Sequence, residues 1–310
     1  MAATPHLSVV IPVLNEAESL PELVKRLDGA LRPEGYEWEV LFIDDGSTDD
    51  TYAVLERLHA QNPRVRCIRF RRNYGKSAAL AVAFREARGE RVVTMDGDLQ
   101  DEPLEVPRLL KRLEDGFDLV SGWKKVRHDP WTKTAPSRFF NLVTGWMSGL
   151  KLHDFNCGLK AYRSDVTQTL EVYGELHRYL PVLAHFDGFR VTELAVEHHA
   201  RIHGRSKFGA ARFVNGFLDL LTVLFVTTSR RSPLHVFGRV ALLFFLLGLA
   251  LIGWVATPWF FGAPIRVRPL LLFGFGFEFA ALQFISLGLL GELIARQRSP
   301  EEYVIKSRLG

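Results

Sequence analysis

Short, almost uninterrupted apolar runs alternate with longer segments of helical period through the first part of the chain. LSVVIP, WEVLFID, VRCIRF, RVVTMD and DLVSG are the apolar runs, and between them lie amphipathic stretches at 19–31, 48–61, 76–87 and 103–113. Strands apolar on both faces and separated by helices predict an α/β domain with a mostly parallel sheet covered on both sides. Ligands of such sheets bind beyond the carboxyl ends of the strands. Polar residues collect at those ends: Asn15 and Glu16 in the Pro12–Glu16 segment that includes Leu14 after the first strand, Asp44 and Asp45 before Gly46 after the second, and Asp96, Asp98 and Gln100 about Gly97 after the fourth.

The pattern changes beyond residue 210. Residues 240–261 carry no charge over 22 positions, enough to cross a hydrocarbon core of roughly 30 Å. A second stretch, 270–290, contains a single ionisable side chain, Glu278. The short connection at 262–269 allows only a tight hairpin. Before it, 211–228 has only Arg212 and Asp219 charged; an interfacial helix is preferred there to a core helix. The chain thus divides into an α/β domain at 1–210, an interfacial region at 211–232, a transmembrane hairpin at 233–293 and a tail at 294–310.

Arg230, Arg231 and Arg239 precede the hairpin and Arg296, Arg298, Lys306 and Arg308 follow it, whereas its loop holds Arg266 and Arg268. The positive-inside rule then predicts a multi-pass protein of the cytoplasmic (inner) membrane, with the α/β domain and both ends facing the cytoplasm. The opening residues MAATPHLSVVIP predict no signal peptide. Glu278 is costly inside a span. Protonation, pairing with Gln283 or a contact with another subunit's helix would accommodate it, and helix packing or assembly into a homo-oligomer is the preferred reading.

Charge sharpens this division. The net +4 and the mean hydropathy of +0.04 average over unlike parts. Residues 1–118 hold 16 basic and 22 acidic side chains, 119–229 hold 14 and 9, and 230–310 hold 9 and 4. The acidic first third argues against nucleic-acid binding and suits a cation; the basic remainder suits anions. Cys67 and Cys157 supply neither a disulfide framework nor a zinc site and are expected as reduced thiols, Cys157 as a packing residue rather than a nucleophile. His198 and His199 read as surface or strand-end residues. No Walker or GxGxxG loop is present. Asp96 and Asp98 form an Asp-x-Asp element after a strand, where hard carboxylate oxygens can hold Mg²⁺ or Mn²⁺ while substrate phosphates complete the shell. Paired aspartates in such turns also serve as turn formers, but three acidic strand ends in one sheet favour a site.

The motifs SVVIPVLNE at 8–16, IDDGSTDDT at 43–51, RNYGKSAAL at 72–80 and MDGDLQDEP at 95–103 resemble those of the family 2 glycosyltransferases. DFNCGLKAYR at 154–163, RIHGRSKFG at 201–209 and QFISLGLLGE at 283–292 are similar to the polyprenyl-phosphate glycosyltransferases within that family, relatives of dolichol-phosphate mannose synthase with a C-terminal transmembrane hairpin. The resemblance covers nearly the whole chain and implies a nucleotide-diphosphosugar transferase (GT-A-like) fold. It implies that Pro12, Leu14, Glu16 and Asp45 receive base and ribose, and that Asp96, Asp98 and Gln100 form the metal and diphosphate site. Lys124 then lies near the donor, and Lys133 and Ser137 in the acceptor-loop region. Arg201 and Lys207 would bind the diphosphate or the lipid phosphate. Leu14 departs from the aromatic residue of some relatives.

Asp154 resembles a proposed catalytic aspartate and is the candidate for an acid/base or positioning role; the alternative is a carboxylate capping the turn at Cys157 and Gly158. Lys160 and Arg163 follow at a spacing that suits phosphate binding. His203 and Arg205, about Gly204, belong to a loop that would close over the acceptor. The implied reaction is inverting hexosyl transfer from a nucleotide-diphosphate sugar to polyprenyl (undecaprenyl-type) monophosphate, with UDP-glucose the preferred donor and GDP-mannose or a UDP-amino sugar the alternatives. A processive polysaccharide synthase would need more spans, and a non-enzymatic scaffold would not need the acidic motifs.

Overall fold

The computed structural model describes residues 5–125, 141–146, 148–174, 176–199, 233–262, 269–296, 303 and 305–310. The chain forms two compact units, Met1–Val223 with Glu302–Gly310, and Leu224–Glu301.

In the first unit β1 (Leu7–Val13) and β2 (Trp38–Asp44) are buried along almost their whole length, as apolar runs covered on both faces require. β3 (Val65–Phe70), β4 (Arg91–Thr94) and β5 (Leu119–Lys124) follow, linked by α1 (Leu20–Leu31), α2 (Thr51–Gln61), α3 (Lys76–Glu86) and α4 (Glu105–Glu114). Pro21 sits in the first turn of α1, where a missing N–H costs nothing. α4 turns Val106, Leu109, Leu110 and Leu113 inward, a helical stripe in which each buried side chain contributes about 1.5–3 kcal/mol.

Then come β6 (Lys160–Arg163), α5 (Ser164–Thr169), a 3₁₀ turn (Leu176–Arg178), α6 (Leu180–Phe186) and β7 (Val191–Val196). The eight strands lie in the order β7-β5-β6-β4-β1-β2-β3-β8. β1, β2, β3 and β4 are parallel, as are β5 and β7. β6 is antiparallel to both β4 and β5 and separates them. The mostly parallel sheet expected from the apolar runs is therefore present, with a reversed strand wedged between β5 and β4 that the sequence pattern does not announce.

β8 (Ile305–Leu309) lies in what the sequence reading treats as a tail, and it pairs antiparallel with β3. Its alternation of half-buried Ile305, Ser307 and Leu309 with exposed Lys306 and Arg308 is that of an edge strand, too short to stand out beside the hairpin. Arg308, counted above as a basic flank, places Nη1 2.9 Å from Glu86 Oε1. Tyr303 packs against Phe70 and Tyr74, with ring centroids 5.9 and 5.8 Å away.

The second unit contains α7 (Pro233–Phe260) and α8 (Pro269–Arg296), whose apolar segments Phe237–Thr257 and Pro269–Gly291 are long enough to cross a membrane and are mostly unburied by protein. The two pack through small residues. A Cβ on Gly248 would meet Glu278 Oε1 at 2.8 Å and the Gly274 carbonyl at 2.9 Å, and one on Gly274 would meet Ile252 Cγ1 at 2.7 Å. The Glu278 carboxyl is thus seated on the facing helix of the same hairpin.

Candidate active site

Three loops meet at the carboxyl ends of β1, β2 and β4. Asn15, in a left-handed conformation at φ 57°, turns the chain sharply after β1; its amide donates to Ser47 Oγ at 3.0 Å and its Oδ1 accepts from the Thr48 amide at 2.9 Å. The Glu16 amide donates to Thr51 Oγ1 at 2.9 Å. These bonds fix the Pro12–Glu16 segment against the loop after β2.

That loop requires a glycine. Gly46 has φ 74°, and a Cβ on it would lie 2.5 Å from the Arg72 carbonyl carbon. Beside it the 5 % exposed Asp45 accepts from the amides of Tyr74 and Gly75 at 2.7 and 2.9 Å. Burial raises the Asp45 carboxyl above its ordinary value, against the pull of those two amides.

After β4, Leu99 takes φ 60° and tightens the Asp96–Gln100 turn. Asp98 is 7 % exposed, and its Oδ1 lies 3.3 Å from the Gln100 amide. The Asp96 carboxylate pairs with Lys76 from the start of α3, and its amide donates to Asp101 Oδ2 at 3.3 Å. Gln100 is tied to the segment after β7 through the His199 amide, 2.8 Å from its carbonyl.

Lys124, at the end of β5, directs Nζ to Asp101 Oδ1 at 3.4 Å. Burial alone would raise the Asp101 carboxyl, yet Lys124 and His198, with Nδ1 3.6 Å away, outweigh it and hold it below the usual carboxylate range. Asp101 in turn keeps Lys124 charged, above its ordinary value, despite the opposing effect of burial. Lys124 is therefore near the Asp-x-Asp turn but engaged with a carboxylate that the sequence reading did not single out.

The DFNCGLKAYR stretch supplies the inner wall. Asp154 is 1 % exposed, and its Oδ1 accepts from the Asn156 amide at 3.1 Å. It holds the turn leading to Gly158, where a Cβ would stand 2.5 Å from Asp96 Oδ2. Lys160, 2 % exposed, opens β6 opposite Thr94 and donates to the Cys157 carbonyl. Burial lowers the Lys160 pKa and pushes the Cys157 thiol up to about 12. Arg163 is not brought to this site. Antiparallel register sets it opposite Arg91 at the other end of β4, roughly 10 Å of strand away from Lys160, which removes it from the phosphate-binding set. His198 and His199 do stand at a strand end, each beside a carboxylate. Lys133, Ser137, Arg201, His203, Gly204, Arg205, Lys207 and the 211–228 segment lie outside the described residues.

Sequence reasoning missed Lys76 and Asp101. Both lie inside motifs quoted above, RNYGKSAAL and MDGDLQDEP. Two carboxylates and an amide oxygen form a donor set that fits a hard divalent cation bound partly by substrate oxygens. Among the described residues no cluster of three or more His, Cys, Asp or Glu side chains offers a complete protein-only cage.

The mostly parallel sheet with acidic loops at its carboxyl ends is a GT-A-like α/β fold. The family model for glycosyl transferase family 2 matches residues 8–170, and the chain belongs to that family; it is a glycosyltransferase. It is 36 % identical over 297 residues to dodecaprenyl-phosphate galacturonate synthase of Rhizobium johnstonii, covering 94 % of this chain and 88 % of that protein. It is 37 % identical over 295 residues to undecaprenyl-phosphate 4-deoxy-4-formamido-L-arabinose transferase of Pseudomonas paraeruginosa, covering 94 % and 86 %. Among solved structures, a mannosyltransferase from Pyrobaculum calidifontis in complex with GDP-Man and Mn²⁺ shares the fold at a TM-score of 0.52 and 20 % identity, over 97 % of this chain and 77 % of that one. Glucosyl-3-phosphoglycerate synthase from Mycobacterium tuberculosis, with Mn²⁺ and UDP-glucose, does so at 0.54 and 21 %, over 72 % and 79 %.

Proposed function

We propose that the protein transfers a sugar from a nucleotide-diphosphate donor to a polyprenyl monophosphate at the cytoplasmic face of the inner membrane. The observation that carries this reading is the Asp96-x-Asp98 turn, set beside the Glu16 and Asp45 strand ends in a chain that also carries a hairpin of membrane-crossing length. Pro12, Leu14, Glu16 and Asp45 receive base and ribose. Asp98, with Asp96 and Gln100, would hold Mg²⁺ or Mn²⁺, whose charge would offset that building on the departing diphosphate.

The acceptor's phosphate oxygen is already anionic near neutral pH, so no strong general base is required. That oxygen attacks the anomeric carbon in line while the bond to the diphosphate oxygen breaks, and the nucleoside diphosphate leaves with the electron pair. The anomeric centre inverts, giving a β-linked lipid phosphosugar from an α-linked donor. Asp154 acts as a positioning residue, through the turn that backs Asp96. Arg201 and Lys207 take phosphate oxygens, and copies of the protein assemble through the apolar helices.

Sequence motifs alone favour UDP-glucose; the two relatives named above instead carry galacturonate and a formamido-pentose in their names. The test is to incubate membranes containing the protein with radiolabelled UDP-glucose, UDP-galacturonate, UDP-amino sugars and GDP-mannose. Chloroform-extractable, mild-acid-labile label is expected from at least one donor. Its absence from all, with nucleotide still bound, would reject the transferase reading in favour of a scaffold.

A further inference from the structure

Beneath the Asp-x-Asp turn lies a cavity of about 140 Å³, whose wall includes Lys76, Thr94, Asp96, Cys157, Lys160 and His177. Its charges are unbalanced. Lys76 and Asp96 neutralise each other and are each 35 % exposed. Lys160 has 2 % of its surface exposed, its ammonium donates to the Cys157 carbonyl, and the buried Asp154 carboxylate, which is not part of the cavity wall, acts on it without a direct ion pair. Burying an ammonium without a counter-ion is costly. Asp154 offsets part of that cost, and an anion entering the cavity would offset more. His177, with Nδ1 2.9 Å from Ser77 Oγ, adds a second polar wall to the same space.

Position selects which anion. With the diphosphate held at Asp96 and Asp98 as proposed, the group that would reach this space is the one attached to it, the donor's sugar. A lipid phosphate would have to draw an isoprenoid chain past a charged carboxylate and ammonium, whereas a carboxylate on the sugar trails nothing behind it. We propose that this cavity receives the donor's sugar, and that Lys160, with His177 beside it, binds a carboxylate carried on C6, so that the preferred donor is a nucleotide-diphosphate hexuronic acid. This rests on the transferase reading and narrows its substrate class.

The experiment compares UDP-glucose, UDP-galactose, UDP-glucuronate and UDP-galacturonate as donors for the full-length protein in membranes, wild type beside Lys160→Met, Lys160→Arg and His177→Gln. UDP binding to each variant reports whether the fold is kept. Wild type is expected to transfer one uronic acid at least about tenfold more efficiently than its neutral hexose. Lys160→Met should erase that ratio, with Lys160→Arg retaining part of it, and His177→Gln, which keeps the buried ammonium, should lower it independently. A neutral hexose preferred by wild type would overturn the carboxylate assignment and leave the transferase reading standing. So would a Lys160→Met variant that raises the KM for polyprenyl phosphate while the donor ratio stays fixed, since the anion would then be the acceptor's phosphate. Lipid-linked label from no donor at all would remove both.

Discussion

Gly158 lies directly against the Asp96 carboxylate: a Cβ at that position would stand 2.5 Å from Oδ2 and 2.7 Å from Cγ. Because the obstructing atoms end a short side chain, Gly158→Ala should displace the carboxylate rather than break the fold. The expected result is a Tm within a few degrees of wild type and a kcat/KM lowered by about 100-fold, the order of effect that a 1 Å misplacement near a reacting centre produces. Steady-state kinetics beside thermal unfolding checks this; a large loss of Tm with a matching loss of activity would show that the glycine is there for packing alone.

Asp154 is one residue layer further back, with its carboxylate turned to the Asn156 amide at 3.1 Å. Asp154→Asn keeps the shape and half of the acceptor capacity. Turnover is expected to fall by about 10- to 100-fold while donor Kd changes little. Wild-type turnover would take Asp154 out of the mechanism altogether.

On the proposed reading Asp98 and Asp96 would supply the charged oxygens for a divalent ion. Asp98→Asn is expected to raise the half-saturating concentration of Mn²⁺ and Mg²⁺ at least about tenfold, read from activity across a metal titration. An unchanged requirement would move the metal site elsewhere.

Cys157 gives a pH prediction. Its thiol is 1 % exposed and burial pushes its pKa up to about 12, so at pH 8 only about one molecule in ten thousand carries the thiolate. Mass spectrometry after iodoacetamide treatment should find Cys157 unmodified in the native protein at pH 8 and alkylated once it is unfolded. Rapid native labelling would contradict the burial that holds the thiol protonated.

Within the hairpin, Gly248 admits no side chain. Gly248→Leu would drive into Glu278 and the Gly274 carbonyl and is expected to part α7 from α8, with loss of cysteine cross-linking between them. UDP binding should persist, because Met1–Val223 forms a separate unit.

The strands β1 to β5 and their helices were legible because burial on both faces writes a continuous apolar run into the chain, and the acidic strand ends followed from the same reading. β6 was not legible. It has four residues with a lysine at one end and an arginine at the other, and nothing local distinguishes it from a loop; pairing with β4 and β5 makes it a strand. The same pairing separates Lys160 from Arg163, which the linear motif had joined in one role. Lys76 was hidden for another reason: its partner Asp96 is 20 residues away, and only the return of α3 along the sheet brings the two together.

β8 follows the hairpin in sequence, yet it forms one edge of the sheet that begins at β1. During synthesis β3 therefore keeps open hydrogen-bonding groups until α7 and α8 have been made. The last step in closing the α/β unit waits on the two long apolar helices. A molecule whose hairpin is never made therefore also lacks the strand at that edge of its sheet.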